Sequence, residues 1–312
     1  MYMSSERRTI LNKPSWLWLA LWLLALGGTN RAAAQETTRV RDVVYGRKFG
    51  MALTMDVWRP AKQSGIGVIF LVSGGFKSGM DLVDSERFGA VVLKPFLDRG
   101  QTVFAVSHSA QPKFNVIEIV PDIHRAVRFI RVHAKDYGVD PDRLGILGTS
   151  SGGFLALSIA TAGKPGDPAA KDPVDRASSR VQAAACFCPG SDLVNYSEGR
   201  SVVERDPVKA AAMFGVQDLA KEEQIRALHE LSPVEAVSKE TPPTLIIHGD
   251  SDEAVPHQQS ERFVAKLAEN DVPYQLITRK NAGHKWPEMS KDDGLRADWF
   301  DKYLQPTVGK HE

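Results

Sequence analysis

The sequence contains little that would support a disulfide scaffold or a nucleic-acid-binding protein. Only two cysteines occur in 312 residues, Cys186 and Cys188, and two cysteines one residue apart make a strained disulfide. They lie in an apolar segment, so we expect small core residues and neither a disulfide framework nor a zinc site. The formal net charge is only +1, and no basic block is present, so nothing indicates a nucleic-acid partner.

Repeats, low-complexity tracts and metal-ligand spacings are also missing from the sequence. The glycine loop after Val72 lacks the Lys-Ser/Thr ending of a phosphate-binding P-loop. We therefore expect no metal and no cofactor. The composition, 43% hydrophobic and 25% charged, is typical of a soluble globular protein with one large core. The sequence leaves the oligomeric state open.

Residues 1–34 have the pattern of a secretory signal peptide. Positive charges at Arg7, Arg8 and Lys13 precede an apolar run at 16–26, and small residues end just before Gln35. The run is too short to span a bilayer comfortably. We predict cleavage at the Ala34-Gln35 bond, export to the periplasm or beyond, and no stable membrane association afterwards. An uncleaved anchor is the alternative, and the export route, general secretory or twin-arginine, stays open.

Beyond the leader, residues 35–312 form the predicted domain, in which short apolar runs alternate with helical patterns. A hairpin is predicted at 40–58, with Gly46 and Gly50 as turn signals. Buried strands are predicted at 66–72, 102–107, 144–147, 181–188 and 244–248, and a further strand at 274–278. Helices are predicted at 85–99, 121–137, 154–162, 256–270 and 295–304. Pro121 is expected in the first turn of its helix. The alternation predicts an α/β fold with a mostly parallel central sheet and helices on both faces.

Residues 189–239 depart from this alternation, because they are polar, helical in pattern and without a predicted strand. We predict a small helical cap insertion that shapes a substrate pocket. The alternative is a peripheral insertion that does not touch the substrate.

A Gly148-x-Ser150-x-Gly152 pattern lies between the strand at 144–147 and the helix that follows it. A serine at a sharp strand-to-helix turn is a nucleophile elbow. Such a serine is forced to a positive φ, which is strained for a residue other than glycine. The positive N-terminus of the next helix favours a developing oxyanion.

Candidate partners for the serine follow two later strands. Asp250 and Asp252 come after the strand at 244–248, and His284 comes after the strand at 274–278. In open parallel sheets ligands bind beyond the carboxyl ends of the strands. The chain order serine, aspartate, histidine is the α/β-hydrolase order, which differs from that of two unrelated protease folds. The pattern itself does not choose between the two aspartates.

These segments resemble the α/β-hydrolase superfamily in its esterase/lipase branch, near the prolyl-oligopeptidase-like hydrolases. The resemblance covers about 40–304 and is carried by the GTSSGG elbow at 148–153, the HGDSDEAVP loop at 248–256 and the AGHKW loop at 282–286. Residues 74–79 are similar to the oxyanion loop of bacterial feruloyl and acetyl esterases. The resemblance implies the α/β-hydrolase fold and implies that Asp252, the second aspartate, serves the triad.

The oxyanion loop departs from the family pattern at two positions. Where the family carries His-Gly-Gly-Gly before an aromatic residue, this chain has Val72-Ser73-Gly74-Gly75 before Phe76. The resemblance still implies an oxyanion hole made of backbone N–H groups, from Ser151 together with Gly74, Gly75 or Phe76.

These assignments predict an exported serine esterase for small-molecule esters, with short acyl groups or acylated carbohydrates as substrates. Ser150 is the expected nucleophile, His284 the base and Asp252 the group that orients the imidazole. A serine peptidase is the second hypothesis, although only a predicted hairpin precedes the first long core strand, where peptidases of that type carry a large gating domain. A non-catalytic binding protein is the third. We expect His248 to lie behind the acid loop, and a pocket role for His108 stays open.

Overall fold

The computed structural model describes residues 37–84 and 88–306. The predicted leader at 1–34 and its cleavage site lie outside the described residues. No helix within the described ranges combines the length and the apolar character that crossing a membrane requires.

A single eight-stranded sheet forms the centre of the domain, in the order β1-β2-β4-β3-β5-β6-β7-β8. Neighbouring strands from β4 through β3 to β8 run parallel, whereas β1 and β2 are antiparallel to each other and β2 is antiparallel to β4. The strands are β1 (Thr38–Lys48), β2 (Met51–Arg59), β3 (Gly67–Leu71), β4 (Thr102–Val106), β5 (Leu144–Thr149), β6 (Ala183–Phe187), β7 (Thr244–Gly249) and β8 (Tyr274–Arg279). The predicted mostly parallel sheet is confirmed.

Helices pack on both faces of this sheet. The helices are α1 (Lys94–Leu97), α2 (Val116–His133), α3 (Ser151–Ala162), α4 (Val202–Arg205), α5 (Pro207–Phe214), α6 (Lys221–Leu231), α7 (Gln258–Glu269) and α8 (Asp293–Leu304). Short 3-10 turns lie at Met80–Leu82, Ala134–Tyr137, Pro173–Arg176 and Pro233–Ala236. One apolar cluster joins α2, α3 and α7 to the sheet, and a second joins α1 and α8 to its other face.

The central strands contribute to both clusters because successive side chains on a strand point to opposite faces. In β4, Phe104 and Val106 belong to the first cluster, and Val103 and Ala105 to the second. All four side chains are 0% exposed. This two-sided burial explains why the strand appears in the sequence as an uninterrupted apolar run.

The turn of the first hairpin lies at Phe49 and Gly50, whose φ angles are 47° and 80°. Two central residues at positive φ give a turn whose twist matches that of the strands. The expectation that Gly46 also marks the turn is wrong. Gly46 lies within β1, where the pairing with β2 changes register between Val44 and Gly46.

Helix α2 begins earlier than predicted because Asn115 and Glu118 form a capping box. The Asn115 side chain accepts the Glu118 N–H at 3.1 Å, and the Glu118 carboxylate accepts the Asn115 N–H at 3.0 Å. This reciprocal pair satisfies two N–H groups that a helix start otherwise leaves unpaired. Pro121 therefore lies inside the helix, so its predicted first-turn position is wrong.

The helix predicted at 85–99 is also corrected. The chain forms a π-helix at Phe88–Leu93 and then one α-helical turn, α1, while residues 85–87 lie outside the described ranges. Pro95 stands in the first turn of α1, where its missing N–H removes no hydrogen bond. Pro95 thus lies directly after the π-helix, where the chain continues as an α-helical turn.

Candidate active site

Ser150 occupies the sharp turn between β5 and α3. Its φ is 57° and its ψ is −119°, which confirms the predicted positive φ. The Ser150 N–H donates to the Phe187 carbonyl at the end of β6, at 2.9 Å. A Cβ atom added to Gly148 would lie 2.2 Å from the Gly152 carbonyl oxygen. Glycine at position 148 is therefore required for the strand and the helix to approach each other so closely.

Asp252 lies in the loop after β7, and its carboxylate is fully engaged. Oδ1 accepts the N–H groups of Ala254 and Val255, both at 2.9 Å. Oδ2 lies 2.7 Å from Nδ1 of His284. Burial alone would raise the pKa of Asp252, but hydrogen bonds from His248, His284 and the Val255 N–H outweigh it. They hold this pKa well below its usual range, so the carboxylate is charged at neutral pH.

His248 contacts the same carboxylate from the protein interior. Its Nε2 lies 3.1 Å from Asp252 Oδ2 and 3.0 Å from the Val255 carbonyl oxygen. Both neighbours are acceptors, so Nε2 must carry the proton. Its Nδ1 lies 2.6 Å from Ser260 Oγ, and that hydroxyl can donate to the neutral ring. The expected place of His248, behind the acid loop, is what the structure shows.

Asp250 has a different position from Asp252. It is exposed, and its Oδ1 accepts the Asn281 N–H at 2.7 Å. Asp250 therefore stabilises the start of the loop that carries His284 through this hydrogen bond, and it does not contact the imidazole. The structure thus places Asp252, the residue indicated by the family resemblance, against His284.

The end of β6 holds both the nucleophile turn and the histidine loop. The Phe187 carbonyl accepts the Ser150 N–H, and the next residue, Cys188, places its Sγ 3.8 Å from the His284 carbonyl oxygen. The structure shows no hydrogen bond between Ser150 Oγ and the His284 ring, both of which are described residues. Such contacts are often long before substrate binds and tighten in the complex.

The oxyanion loop after β3 is held in a tight turn. The Gly74 N–H donates to the Lys77 carbonyl at 2.9 Å, so the prediction that it serves the oxyanion hole is corrected. Gly75 and Phe76 follow at φ angles of 57° and 59°. In the described part of the chain their N–H groups, like that of Ser151 at the start of α3, meet no acceptor. The N–H groups of Gly75, Phe76 and Ser151 are therefore the candidates for an oxyanion hole.

Ser78 supports this loop in a chain that lacks the family's histidine. Its Oγ donates to the Val72 carbonyl at 2.5 Å and accepts the His108 N–H at 3.1 Å. Ser73, which replaces the first glycine of the family pattern, lies 3.1 Å from Ser151 through the two hydroxyl oxygens. No pattern in the sequence identified Ser73 or Ser78, because a lone serine in a glycine loop carries no distinctive spacing.

A cavity of about 600 Å³ opens beside Ser150, a size typical of small-molecule sites. Three aromatic rings, Phe76, Phe154 and Phe214, pack against one another in T-shaped pairs on its wall. The insertion at 189–239 supplies much of the remaining lining, including Leu193, Tyr196, Val202, Arg205, Lys209 and Met213. The insertion is thus part of the pocket, as the cap hypothesis requires, and not peripheral to it.

Gln259 joins this cap segment to the helix that follows the acid loop. Its side chain is fully buried. Oε1 accepts the N–H groups of Ser191 and Asp192 at 2.8 and 2.7 Å. Nε2 donates to the carbonyls of Asn195 and Tyr196 at 3.2 and 2.9 Å. Four hydrogen bonds from one side chain hold the first part of the cap, a role that the sequence did not reveal.

Within the described residues, one group of side chains could hold a metal ion. Its possible ligand atoms, which belong to Cys188, Asp252 and His284, lie within 4.8 Å of one another. Burial, and then the nearby Asp252 charge, raises the pKa of the Cys188 thiol to about 12. Only a thiolate is a strong metal ligand, so a metal bound by this trio would have to displace the Cys188 proton. His108, for which a pocket role stayed open, is buried and does not line the cavity beside Ser150.

Two sequence relatives carry esterase or ester hydrolase names. The chain is 29% identical over 235 residues to "Probable carboxylic ester hydrolase LipM" of Mycobacterium tuberculosis, covering 72% of this chain and 51% of that protein. It is 28% identical over 246 residues to "Esterase LipQ" of the same organism, covering 77% and 54%. The chain therefore spans about half the length of the curated relatives it matches.

A solved structure described as a truncated form of carbohydrate esterase from gut microbiota matches with a TM-score of 0.73. The match is 22% identical and covers 87% of this chain and 98% of that chain. At this identity the likeness establishes the fold, which is the α/β-hydrolase fold. The BD-FAE family model matches residues 55–267. Because that match covers more than half of the sequence, the chain belongs to the BD-FAE family of α/β-hydrolases.

Proposed function

We propose that this protein is an exported serine hydrolase that cleaves carboxylic esters through an acyl-enzyme on Ser150. The observation that carries the proposal is the 2.7 Å contact between His284 Nδ1 and Asp252 Oδ2. The His284 loop and the Ser150 turn both contact the end of β6. A buried, charged carboxylate on Nδ1 fixes the tautomer that leaves Nε2 free to accept a proton.

In the proposed mechanism Ser150 Oγ attacks the ester carbonyl carbon while His284 Nε2 takes the hydroxyl proton. The oxygen that becomes negative accepts hydrogen bonds from the N–H groups of Gly75, Phe76 and Ser151. Collapse of the tetrahedral intermediate breaks the ester bond, and His284 returns the proton to the leaving alkoxide. Water then repeats the sequence on the acyl-serine, which releases the acid and restores the hydroxyl.

The pocket and the relatives support a small ester as the substrate. A cavity of about 600 Å³ closed by cap residues suits one short-acyl ester or one acylated sugar. The relatives named above carry esterase names, and the solved neighbour is named a carbohydrate esterase. These names support short-acyl or acylated-carbohydrate esters as the substrate class of this chain.

A serine peptidase is the second candidate, because the acid and histidine loops resemble those of the prolyl-oligopeptidase-like hydrolases. Amide cleavage needs protonation of a poor amine leaving group, and remote contacts must orient the chain on both sides of the bond. We therefore expect 4-nitrophenyl acetate and butyrate to be hydrolysed far faster than amino-acyl or prolyl 4-nitroanilides. Equal or higher kcat/KM on the anilides would make the peptidase the better assignment.

Labelling by a fluorophosphonate probe separates an enzyme from a binding protein. The wild type should be labelled at Ser150, and the Ser150→Ala variant should not. Labelling of both proteins, or of neither, would contradict the assignment of the nucleophile.

Export belongs to the same proposal and rests on the leader pattern at 1–34. N-terminal sequencing of protein recovered from outside the cytoplasm should begin at Gln35. A start at Met1 in that fraction would contradict cleavage.

A further inference from the structure

Three charged residues line the active-site cavity, and all of them belong to the cap. They are Arg205, Asp206 and Lys209, at the end of α4 and the start of α5. The remaining lining residues are uncharged, and many are apolar. All three side chains are exposed to solvent, so water and salt screen their charges. Any group that reaches this side of the pocket therefore meets two cations and one anion.

Both cations lack an ion-pair partner within the described residues, as do Arg226 and Lys239, whereas two other cations of the same insertion are paired. Arg200 pairs with Glu198 at 2.7 Å, and Lys221 lies 3.8 Å from Glu204. No carboxylate lies within 4 Å of the charged nitrogens of Arg205 or Lys209 in the described part of the chain. Their charges are thus available to a ligand.

The single acid of the group is used for another purpose. Asp206 precedes α5, and its Oδ1 accepts the Lys209 N–H at 3.1 Å, which caps the helix. This contact gives one unpaired N–H group of the helix start an acceptor. It involves neither the Arg205 guanidinium nor the Lys209 ammonium group. Asp206 lowers the net positive charge of the wall but does not neutralise either cation directly.

Arg205 is held over the pocket wall by an aromatic ring. Its guanidinium lies 5.4 Å from the ring centroid of Tyr196, within the range of a cation–π contact. The Tyr196 hydroxyl in turn donates to the Ala254 carbonyl, in the acid loop, at 3.0 Å. The contact chain from Arg205 therefore ends two residues from Asp252, which ties this cation to the catalytic end of the pocket.

We infer that the pocket selects esters that carry a carboxylate on the part of the substrate lying against α4 and α5. The inference rests on the proposed ester hydrolysis and adds the substrate class. Arg205 and Lys209 bind the carboxylate, while Phe76, Phe154 and Phe214 contact the apolar part of the same molecule. Two cations beside an apolar surface suit an amphipathic anion better than a neutral acylated compound.

Two matched pairs of esters test the inference on either side of the scissile bond. On the acyl side, the 4-nitrophenyl half-ester of adipic acid is compared with 4-nitrophenyl methyl adipate, which has the same leaving group. On the alcohol side, 4-acetoxybenzoate is compared with 4-acetoxybenzamide. The measured quantity is the ratio of kcat/KM for the anionic ester to that for the neutral ester, because changes common to both substrates cancel.

We expect the wild type to prefer the anionic member of at least one pair at low salt. The ratio should fall about fivefold in Arg205→Met and in Lys209→Met, and on the order of 20-fold in the double variant. It should also fall as ionic strength rises, since salt screens exposed charges. Asp206→Asn, which keeps a capping side chain, should raise the ratio.

Arg200→Met is the matched control, because Arg200 is a paired cation of the same insertion outside the cavity lining. Its ratio should equal that of the wild type. A wild type without preference in both pairs, or a double variant that keeps the preference, overturns the inference while leaving ester hydrolysis intact. Failure of the proposed function looks different, because Ser150-dependent hydrolysis of the neutral esters would then be missing.

Discussion

His248 Nε2 lies 3.1 Å from the Oδ2 atom of Asp252, the same oxygen that the His284 ring contacts at 2.7 Å. The acid of the proposed triad is therefore held between two histidines, His248, which is buried, and His284, which is partly exposed. The buried ring donates to a charged carboxylate that no water can reach, so it stabilises the ionised form.

Replacement of His248 should slow catalysis through its effect on Asp252, because His248 itself does not contact the substrate. In His248→Leu the Asp252 carboxylate loses one donor, so its pKa rises while its burial is unchanged. We expect kcat to fall by about 10–100-fold, the equivalent of one buried hydrogen bond to a charge. The acid limb of the kcat/KM profile should move to higher pH. His257→Gln is the control, because its ring packs 5.3 Å from His248 without donating to Asp252. Equal losses in both variants would count against a positioning role.

The two aspartates of the acid loop should differ sharply in their effect on turnover. Asp252→Asn should lower kcat by about 10⁴-fold, because an amide no longer selects the required imidazole tautomer. Asp250→Asn should lower it far less, since Asp250 accepts hydrogen bonds from the Asn281 N–H and the Ser251 hydroxyl and does not contact the imidazole. Steady-state kinetics measure kcat for the two variants. A larger loss in Asp250→Asn than in Asp252→Asn would contradict the assignment of Asp252 as the acid.

Strain at Ser150 should be visible as a difference in stability between two inactive variants. A residue with a side chain at φ 57° and ψ −119° is strained, whereas glycine is not. Ser150→Gly should therefore unfold with a free energy roughly 1 kcal/mol higher than Ser150→Ala. The same two substitutions at Ser151, the first residue of α3, should show the opposite order. Urea unfolding of the four variants measures both differences, and a more stable Ser150→Ala would argue against strain.

Gln259 should contribute to stability and to substrate binding together. Gln259→Leu leaves two N–H groups and two carbonyls of the cap segment without their partner. We expect the free energy of unfolding to fall by about 2–4 kcal/mol and KM for short esters to rise. Gln258→Leu is the matched control, because that side chain is exposed. If both variants match the wild type in stability and KM, Gln259 does not hold the cap.

Both cysteines should resist alkylation in the native state. Burial raises the pKa of the Cys186 thiol and of the Cys188 thiol to about 12. A raised thiol pKa leaves almost no reactive thiolate below that pH, so iodoacetamide at pH 8 should modify neither. In 8 M urea both should react. Rapid native labelling, detected by mass spectrometry, would show that the end of β6 opens to solvent.

The sequence by itself determined the order of most strands and helices and the candidates for the catalytic set, with two aspartates left open as the acid. These features depend on local information, such as the apolar runs of two-sided strands and the spacing of the elbow and the two later loops. Local information also has limits, because Asn115 and Glu118 together start α2 before Pro121, and Gly46 pairs within a strand.

The tertiary structure alone decided which groups share a site. It placed Asp252 rather than Asp250 against His284, and it showed that the Gly74 N–H donates to the Lys77 carbonyl. It also showed that the Gln259 side chain holds the cap by hydrogen bonds. It also brought Arg205 and Lys209, far from Ser150 in sequence, to the wall of the same cavity. Such contacts depend on how distant segments pack, and single residues without a characteristic spacing leave no pattern in the sequence from which they could be predicted.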